Sequence, residues 1–378
     1  MKKNYMFTPG PTMVPQEVLL AEAAPIIHHR TAEFSGILAE TSRGLQKLFG
    51  TEQDVYIIMG SGTAAMEAAV VNVCSPGDKV ICAPAGKFGE RWAELAESFG
   101  CEVVSIDLEW GQSLTAEQAR EALEEHPDAR AMYITQSETS TGALTDVEAV
   151  AAVTRATDTL LAIDAITGIG VHPCKMDEWG VDIVACGSQK GCMIPPGLGY
   201  IAVSPRTWDV VGACTSPRYY LDLRSMKKKW AGGEHQTPFT AAVSLVRAQK
   251  KALDMMLEEG LDNVFARHAR LAEATRQAAA ALGLELVAEN PVNGVTAIYG
   301  PDGIDTTEVV AHMRDRYGVQ IAGGQAHLKG KIFRIGHMGY VSEEDLIVAI
   351  AAFEKGLRDF GYEFELGIGV DAAMQSLS

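Results

Sequence analysis

Short apolar, β-branched runs alternate with amphipathic stretches through the first two-thirds of the chain. Val55–Met59, Val80–Ala83, Glu102–Ile106, Ala131–Thr135, Leu160–Asp164, Val181–Ala185 and Gly199–Val203 read as strands. Between them lie helical patterns with start signals. Thr115-x-x-Gln118 and Thr145-x-x-Glu148 have the form of capping boxes ahead of apolar-periodic stretches. Strand–helix alternation predicts an α/β layer structure around a mostly parallel sheet, and such sheets bind ligands at the carboxyl ends of their strands.

After about residue 240 the pattern changes. Thr240–Leu257 and Val264–Leu282 read as long helices. Strand-like pieces follow at Leu284–Ala288, Val295–Tyr299 and Lys331–Ile335. The helix Glu343–Phe360, opened by Ser342-x-x-Asp345, closes a separate, smaller α+β domain. Lys227–Lys229 reads as a basic, solvated turn.

Charge narrows the choice of ligand. Thirty-two basic residues against 49 acidic ones give a net charge of −17. A surface that negative repels phosphate backbones, which argues against nucleic-acid and anionic-membrane partners. An anionic ligand must be held by a local pocket. The seven cysteines show no C-x-x-C spacing, and several sit in apolar runs. They read as buried free thiols of a reducing compartment, with no metal site among them. The start MKKNYMFTPGP lacks the apolar stretch of a signal peptide, and no apolar run is long enough to span a bilayer. The expectation is a cytoplasmic protein.

Three segments carry chemistry. In Val55–Glu67 a hydrophobic strand runs through Gly60-Ser61-Gly62-Thr63 into a helix. Small residues let the backbone approach an anion, and the free N–H groups and dipole of the helix start attract it. The string matches G-x-G-x-x-A. A dinucleotide site would want an acid ending the next strand, whereas Asp78 precedes it. There is no G-K-[ST] for a nucleotide P-loop. A close strand–helix turn without a ligand would read the same way.

In the second segment, Leu160-Leu-Ala-Ile-Asp164, an aspartate ends an apolar strand. Such a carboxylate caps the next turn or meets a buried cation, for which a protonated pyridine nitrogen would serve. In the third, Gly187-Ser-Gln-Lys190-Gly191, a lysine stands among small residues before Pro195-Pro196-Gly197. It is an exposed loop lysine or an amine poised to form a Schiff base. A phosphate cradle, a strand-end aspartate and a turn lysine on one sheet are the parts that pyridoxal phosphate needs.

The chain resembles the class V branch of fold-type I pyridoxal-phosphate enzymes, closest to the alanine–glyoxylate / serine–pyruvate aminotransferases. The resemblance covers nearly the whole chain. It runs in order through Thr8-Pro9-Gly10-Pro11-Thr12, Gly60–Glu67, Gly86-Lys87-Phe88-Gly89-Glu90-Arg91, Glu138-Thr139-Ser140-Thr141-Gly142, Asp164, Gly187–Lys190 and Lys331-Ile-Phe-Arg334-Ile-Gly336. Lys190 follows Asp164 by 26 residues, which fits the family pattern.

The resemblance implies a mostly parallel seven-stranded sheet with helices on both faces. It also implies an N-terminal segment 1–15 at the active site, a large cofactor domain 16–250 and a small C-terminal domain 251–378. Lys190 resembles the lysine that carries the cofactor and shuttles the proton, and Asp164 resembles the pyridinium partner. Ser61, Gly62, Thr63 and Gln189 resemble phosphate ligands. Thr139 stands where a hydroxyl meets the ring oxygen, Ile166 where a side chain packs on one ring face, and Phe88 where an aromatic stacks. Thr237 matches a phosphate ligand lent by a neighbouring subunit, which implies a homodimer with shared sites. Glu234 stands where relatives carry Tyr, so that role is not transferred. Arg334 resembles the clamp on the substrate carboxylate, with Gly10 and Thr12 beside the substrate.

The implied reaction moves an amino group from a small L-amino acid (alanine, serine or aspartate) to glyoxylate or pyruvate. His28-His29-Arg30 either meets a second substrate carboxylate at the entrance, favouring aspartate, or forms a solvated or interface cluster. A transaminase for a phosphorylated or phosphonate amine and a non-catalytic cofactor-binding subunit are the alternatives. A cysteine desulfurase is disfavoured, because no cysteine follows Cys214 and Phe88 stands at the ring position.

Overall fold

In the computed structural model, which describes residues 3–231 and 235–378, seven strands form one sheet. They are β1 (Val55–Met59), β2 (Lys79–Cys82), β3 (Glu102–Ser105), β4 (Ala131–Thr135), β5 (Leu160–Asp164), β6 (Ile183–Gly187) and β7 (Leu198–Val203), in the order β1-β7-β6-β5-β4-β2-β3. β7 runs antiparallel to β1 and β6, and the other pairs are parallel. Every residue of β4, β5 and β6 is buried, because helices cover both faces. That is why these strands read as continuous apolar runs and not as alternating ones.

β6 starts two residues later than its apolar run suggested. Asp182 lies outside the strand, where its carboxylate accepts from Leu161 N at 2.9 Å and pairs with Arg206 at 2.6 Å. At the other end, β7 pairs with Cys186 and Gly187 and carries the strand up to Ser188–Lys190.

Three further expectations are corrected. Leu284–Ala288 is not a strand. It makes a single bridge, Leu286 to Ile298, with hydrogen bonds from Val287 N to Ala297 O and from Tyr299 N to Glu285 O. The helix Val147–Thr154 is capped by Asp146, whose carboxylate accepts from Ala149 N at 3.0 Å; Thr145 instead donates its N–H to Gln136 O. Lys227–Lys229 form the last turn of the helix Leu223–Trp230, where cations suit the helix dipole.

One hydrophobic cluster surrounds the large sheet, from Val18 to Val264. A second joins the helices Leu261–Ala281 and Glu343–Asp359 to the antiparallel sheet of Val295–Tyr299, Ile332–Gly336 and Ala322–Gly323. Phe7 is buried in this second cluster, so the N-terminal segment is anchored there before it crosses to the large sheet. All seven cysteines are buried and none is in a disulfide. Among the described residues no helix is long and apolar enough to cross a membrane.

Candidate active site

The carboxyl edge of the sheet gathers the predicted residues. Asp164 ends β5, in register with Thr135 of β4 and Ala185 of β6. Its carboxylate is 3% exposed and accepts from Ile166 N at 2.8 Å. Burial pushes the acid up to about 7; the Ile166 N–H opposes this, Glu138 adds to it, and Lys190 and Arg91 work against it.

Lys190 stands three residues beyond β6 and is buried. Its Nζ donates to Pro9 O, so the N-terminal segment closes over the amine. Burial draws the amine down to about 8, with Asp164 pulling the other way. Gly10, at φ +126°, passes so close that a Cβ would lie 2.4 Å from Lys190 Cδ and Cε. Thr12 binds the same turn twice, through N to Gln189 O and Oγ1 to Lys190 O, each at 3.2 Å. A buried amine without a close carboxylate favours its neutral, nucleophilic form.

β1 delivers the anion cradle. Ser61 is the N-cap of the helix Gly62–Val71, and its hydroxyl makes no capping bond. Ala64 N is taken by Ser61 O, which leaves the N–H groups of Gly62 and Thr63 at the helix start. A Cβ at Gly62 would lie 2.5 Å from Ile166 Cδ1. Ile166 therefore packs on the cradle itself. Arg91 donates Nη1 to Thr63 Oγ1 at 3.2 Å, and its guanidinium carbon lies 4.9 Å from the centre of the Phe88 ring.

Arg334 comes from the other sheet. It is 6% exposed, donating Nε to Gly323 O at 2.8 Å and Nη1 to Thr139 O at 3.0 Å. No carboxylate lies within ion-pair distance of it among the described residues, and burial draws its guanidinium down to about 10. Thr139 Oγ1 is bonded to Thr167 Oγ1 at 2.6 Å.

These residues fit pyridoxal phosphate. An uncapped helix start beside Arg91, which donates to Thr63 Oγ1, suits the phosphate. Asp164 is a buried acid that suits a protonated ring nitrogen, and Lys190 supplies the amine.

A family model described as Aminotransferase class-V matches residues 4–346. The chain belongs to the class-V aminotransferases. It is 43% identical to the protein named "Soluble hydrogenase, small subunit" of Synechococcus sp. (strain PCC 6716), over 100% of this chain and 99% of that one. It is 37% identical to the L-aspartate–glyoxylate aminotransferase of Paracoccus denitrificans (strain Pd 1222), over 99% and 96%. The crystal structure of an alanine–glyoxylate aminotransferase from Nostoc sp. superposes with a TM-score of 0.91 at 32% identity, over 95% of this chain and 96% of that one. The protein is a transaminase and its cofactor is pyridoxal phosphate.

Two further residues singled out in the transaminase sequence, Arg30 and Thr237, lie side by side. Arg30 lies against residues 236–238. It donates Nη1 to Thr237 O at 2.7 Å and to Gln236 Oε1 at 3.1 Å, and Nη2 to Pro238 O at 3.5 Å. Thr237 is buried, with Oγ1 donating to Phe239 O at 2.5 Å. Glu234 lies outside the described residues.

Sequence reasoning also missed residues at this edge. Glu138 and Arg91 stood inside recognised motifs without a role, and Thr167 lies one residue past Ile166. The available signal was a glutamate embedded in a run of small polar residues directly after an apolar strand.

Proposed function

We propose that this transaminase moves the amino group of a small L-amino acid (alanine, serine or aspartate) to glyoxylate or pyruvate. The observation that carries the reading is Arg334, a buried guanidinium tied to two backbone carbonyls and facing no carboxylate of its own. A guanidinium so placed takes the α-carboxylate shared by every amino and 2-oxo acid, through two parallel hydrogen bonds.

Pyridoxal phosphate, when bound, supplies the electron sink that acidifies the substrate's α-proton. The chain does the rest. Lys190 Nζ takes that proton and returns it, and burial keeps enough of the amine neutral to do so. Asp164 would meet the ring nitrogen and keep its proton in place. Ser61, Gly62, Thr63 and Gln189 hold the phosphate, with Phe88 and Ile166 on the ring faces and Thr139 at the ring oxygen. Gly10 and Thr12 shape the substrate side of Lys190.

Thr237 serves the phosphate of a neighbouring subunit, which makes the working form a homodimer. The seven buried cysteines, none in a disulfide, support a reducing, cytoplasmic setting. Arg30 is engaged by residues 236–238, which weakens the case for a phosphonate or phosphorylated donor at that cluster. The hydrogenase name belongs to the Synechococcus relative, and the present reading rests on Lys190, Asp164 and Arg334 of this chain.

The test is a panel of alanine, serine, aspartate and phosphoserine against glyoxylate, pyruvate and 2-oxoglutarate, using cofactor-loaded protein. Turnover with a small donor and glyoxylate or pyruvate is expected. A preference for phosphoserine, or no transfer from any donor, overturns the reading.

A further inference from the structure

Glu138 ends the two-residue strand Ser137–Glu138 that follows β4 and is 2% exposed, yet no basic side chain lies within ion-pair distance of it among the described residues. Four donors hold it instead. Oε2 accepts from Phe88 N at 3.1 Å and Gly89 N at 2.9 Å, and Oε1 accepts from Ser140 N at 3.0 Å and Ser140 Oγ at 2.5 Å.

The first pair is the start of the helix Lys87–Ser98. That helix has Gly86 as N-cap and no local side-chain cap. Its first free N–H groups therefore depend on a distant loop, because Lys87 N donates to Ser140 Oγ at 3.0 Å and the next two donate to Glu138. Gly86 is obligatory for this approach, since a Cβ there would lie 2.4 Å from Glu138 Cγ. An anion at a helix start is well placed electrostatically, which offsets much of the cost of burying it.

The second pair fixes the loop that contains Thr139. The carbonyl of Thr139 is one of the two acceptors that hold Arg334. One carboxylate thus ties the backbone that presents Phe88 and Arg91 to the backbone that seats Arg334.

We propose that Glu138 is a positioning residue that sets the angle and separation between the Phe88 ring face and the Arg334 guanidinium, so that cofactor ring and substrate carboxylate are held in register. This rests on the roles given above to Phe88 and Arg334. A glutamine has the same shape, but its Nε2 must face N–H donors on one side or the other. Glu138→Gln therefore releases either the helix start or the Thr139 loop.

The experiment uses the cofactor-loaded protein. Visible circular dichroism per bound cofactor reports the tilt of the ring, and KM against kcat reports the carboxylate clamp. Glu138→Gln is expected to keep Lys190 modified, to lose at least about half of the visible dichroic signal, and to raise KM for amino and oxo acids about tenfold with a smaller fall in kcat. Ser140→Ala, which removes one donor to Glu138 and the acceptor of Lys87 N, shifts both readouts the same way by less. A folded, loaded Glu138→Gln with dichroism and KM within about twofold of wild type overturns the proposal. If Glu138→Gln fails to melt cooperatively, Ser140→Ala decides by the same criteria. Wild-type protein that carries no cofactor on Lys190 would instead sink the reading of the site.

Discussion

Arg334 donates Nη1 to the carbonyl oxygen of Thr139 at 3.0 Å, joining the small antiparallel sheet to the loop that leaves the large one. The two residues are 195 positions apart in the chain. The guanidinium proposed as the substrate clamp is thereby fixed against the same loop that borders Asp164 and the Gly60–Thr63 turn. A relative movement of the two hydrophobic clusters changes the separation between clamp and amine.

Arg334→Lys should separate charge from geometry. Lysine keeps a cation but loses the planar fork and the bonds to Gly323 O and Thr139 O. The expected result is a fall in kcat/KM of about 10- to 100-fold for α-amino acids, seen mainly in KM. An amine without a carboxylate should react equally well with variant and wild type. Steady-state kinetics on both donors checks this.

Asp164 and Lys190 predict the pH profile of the cofactor-free protein. Asp164 rises from 3.8 to about 7, so between those values the native state holds a proton that the unfolded state has lost, and stability falls as pH rises. Lys190 drops from 10.5 to about 8, so between about 8 and 10.5 the unfolded state holds the extra proton and stability rises with pH. Asp164→Asn should flatten the lower window, with a change of at most ~4 kcal/mol across pH 4 to 7, and widen the upper one, because Asp164 no longer holds the Lys190 amine up. Thermal melts of both proteins without cofactor test the sign.

Arg30→Ala should loosen residues 236–238, which it holds through three hydrogen bonds. If Thr237 serves a neighbouring phosphate, as proposed, the dissociation constant for pyridoxal phosphate rises about tenfold. The ratio of aspartate to alanine rates stays the same. A changed ratio with unchanged cofactor affinity would restore the entrance reading of His28–Arg30. Cofactor titration and donor kinetics together make the distinction.

Gly10→Ala should damage activity beyond its effect on stability. The new methyl carbon would occupy the space of Lys190 Cδ and Cε, and φ +126° strains any L side chain. A destabilisation of about 1–3 kcal/mol is expected, together with slower modification of Lys190 by the cofactor. Chemical denaturation and absorbance stopped-flow measure the two effects.

Much of the architecture was legible because central strands buried on both faces leave unbroken apolar runs. Boundaries were less legible where a partner strand or a stronger cap decided them. β6 reaches Gly187 because β7 pairs with it, and Asp146 displaces Thr145 as a cap because its carboxylate accepts the Ala149 N–H. The site followed the same division. Lys190, Asp164 and the Gly60–Thr63 turn announce themselves by standing at the ends of such runs. The partners of Arg30 and Glu138 do not, because the bonds that define them reach 206 and 50 residues away.

The sequence by itself determined the α/β class, the strand-end positions of the chemical groups and the family, since periodicity and local motifs are properties of neighbouring residues. The tertiary structure alone decided that Pro9 meets Lys190, that Arg30 holds Thr237, and that Glu138 caps a distant helix. Each is a hydrogen bond between segments far apart in the chain, and only tertiary packing brings their donors and acceptors within reach.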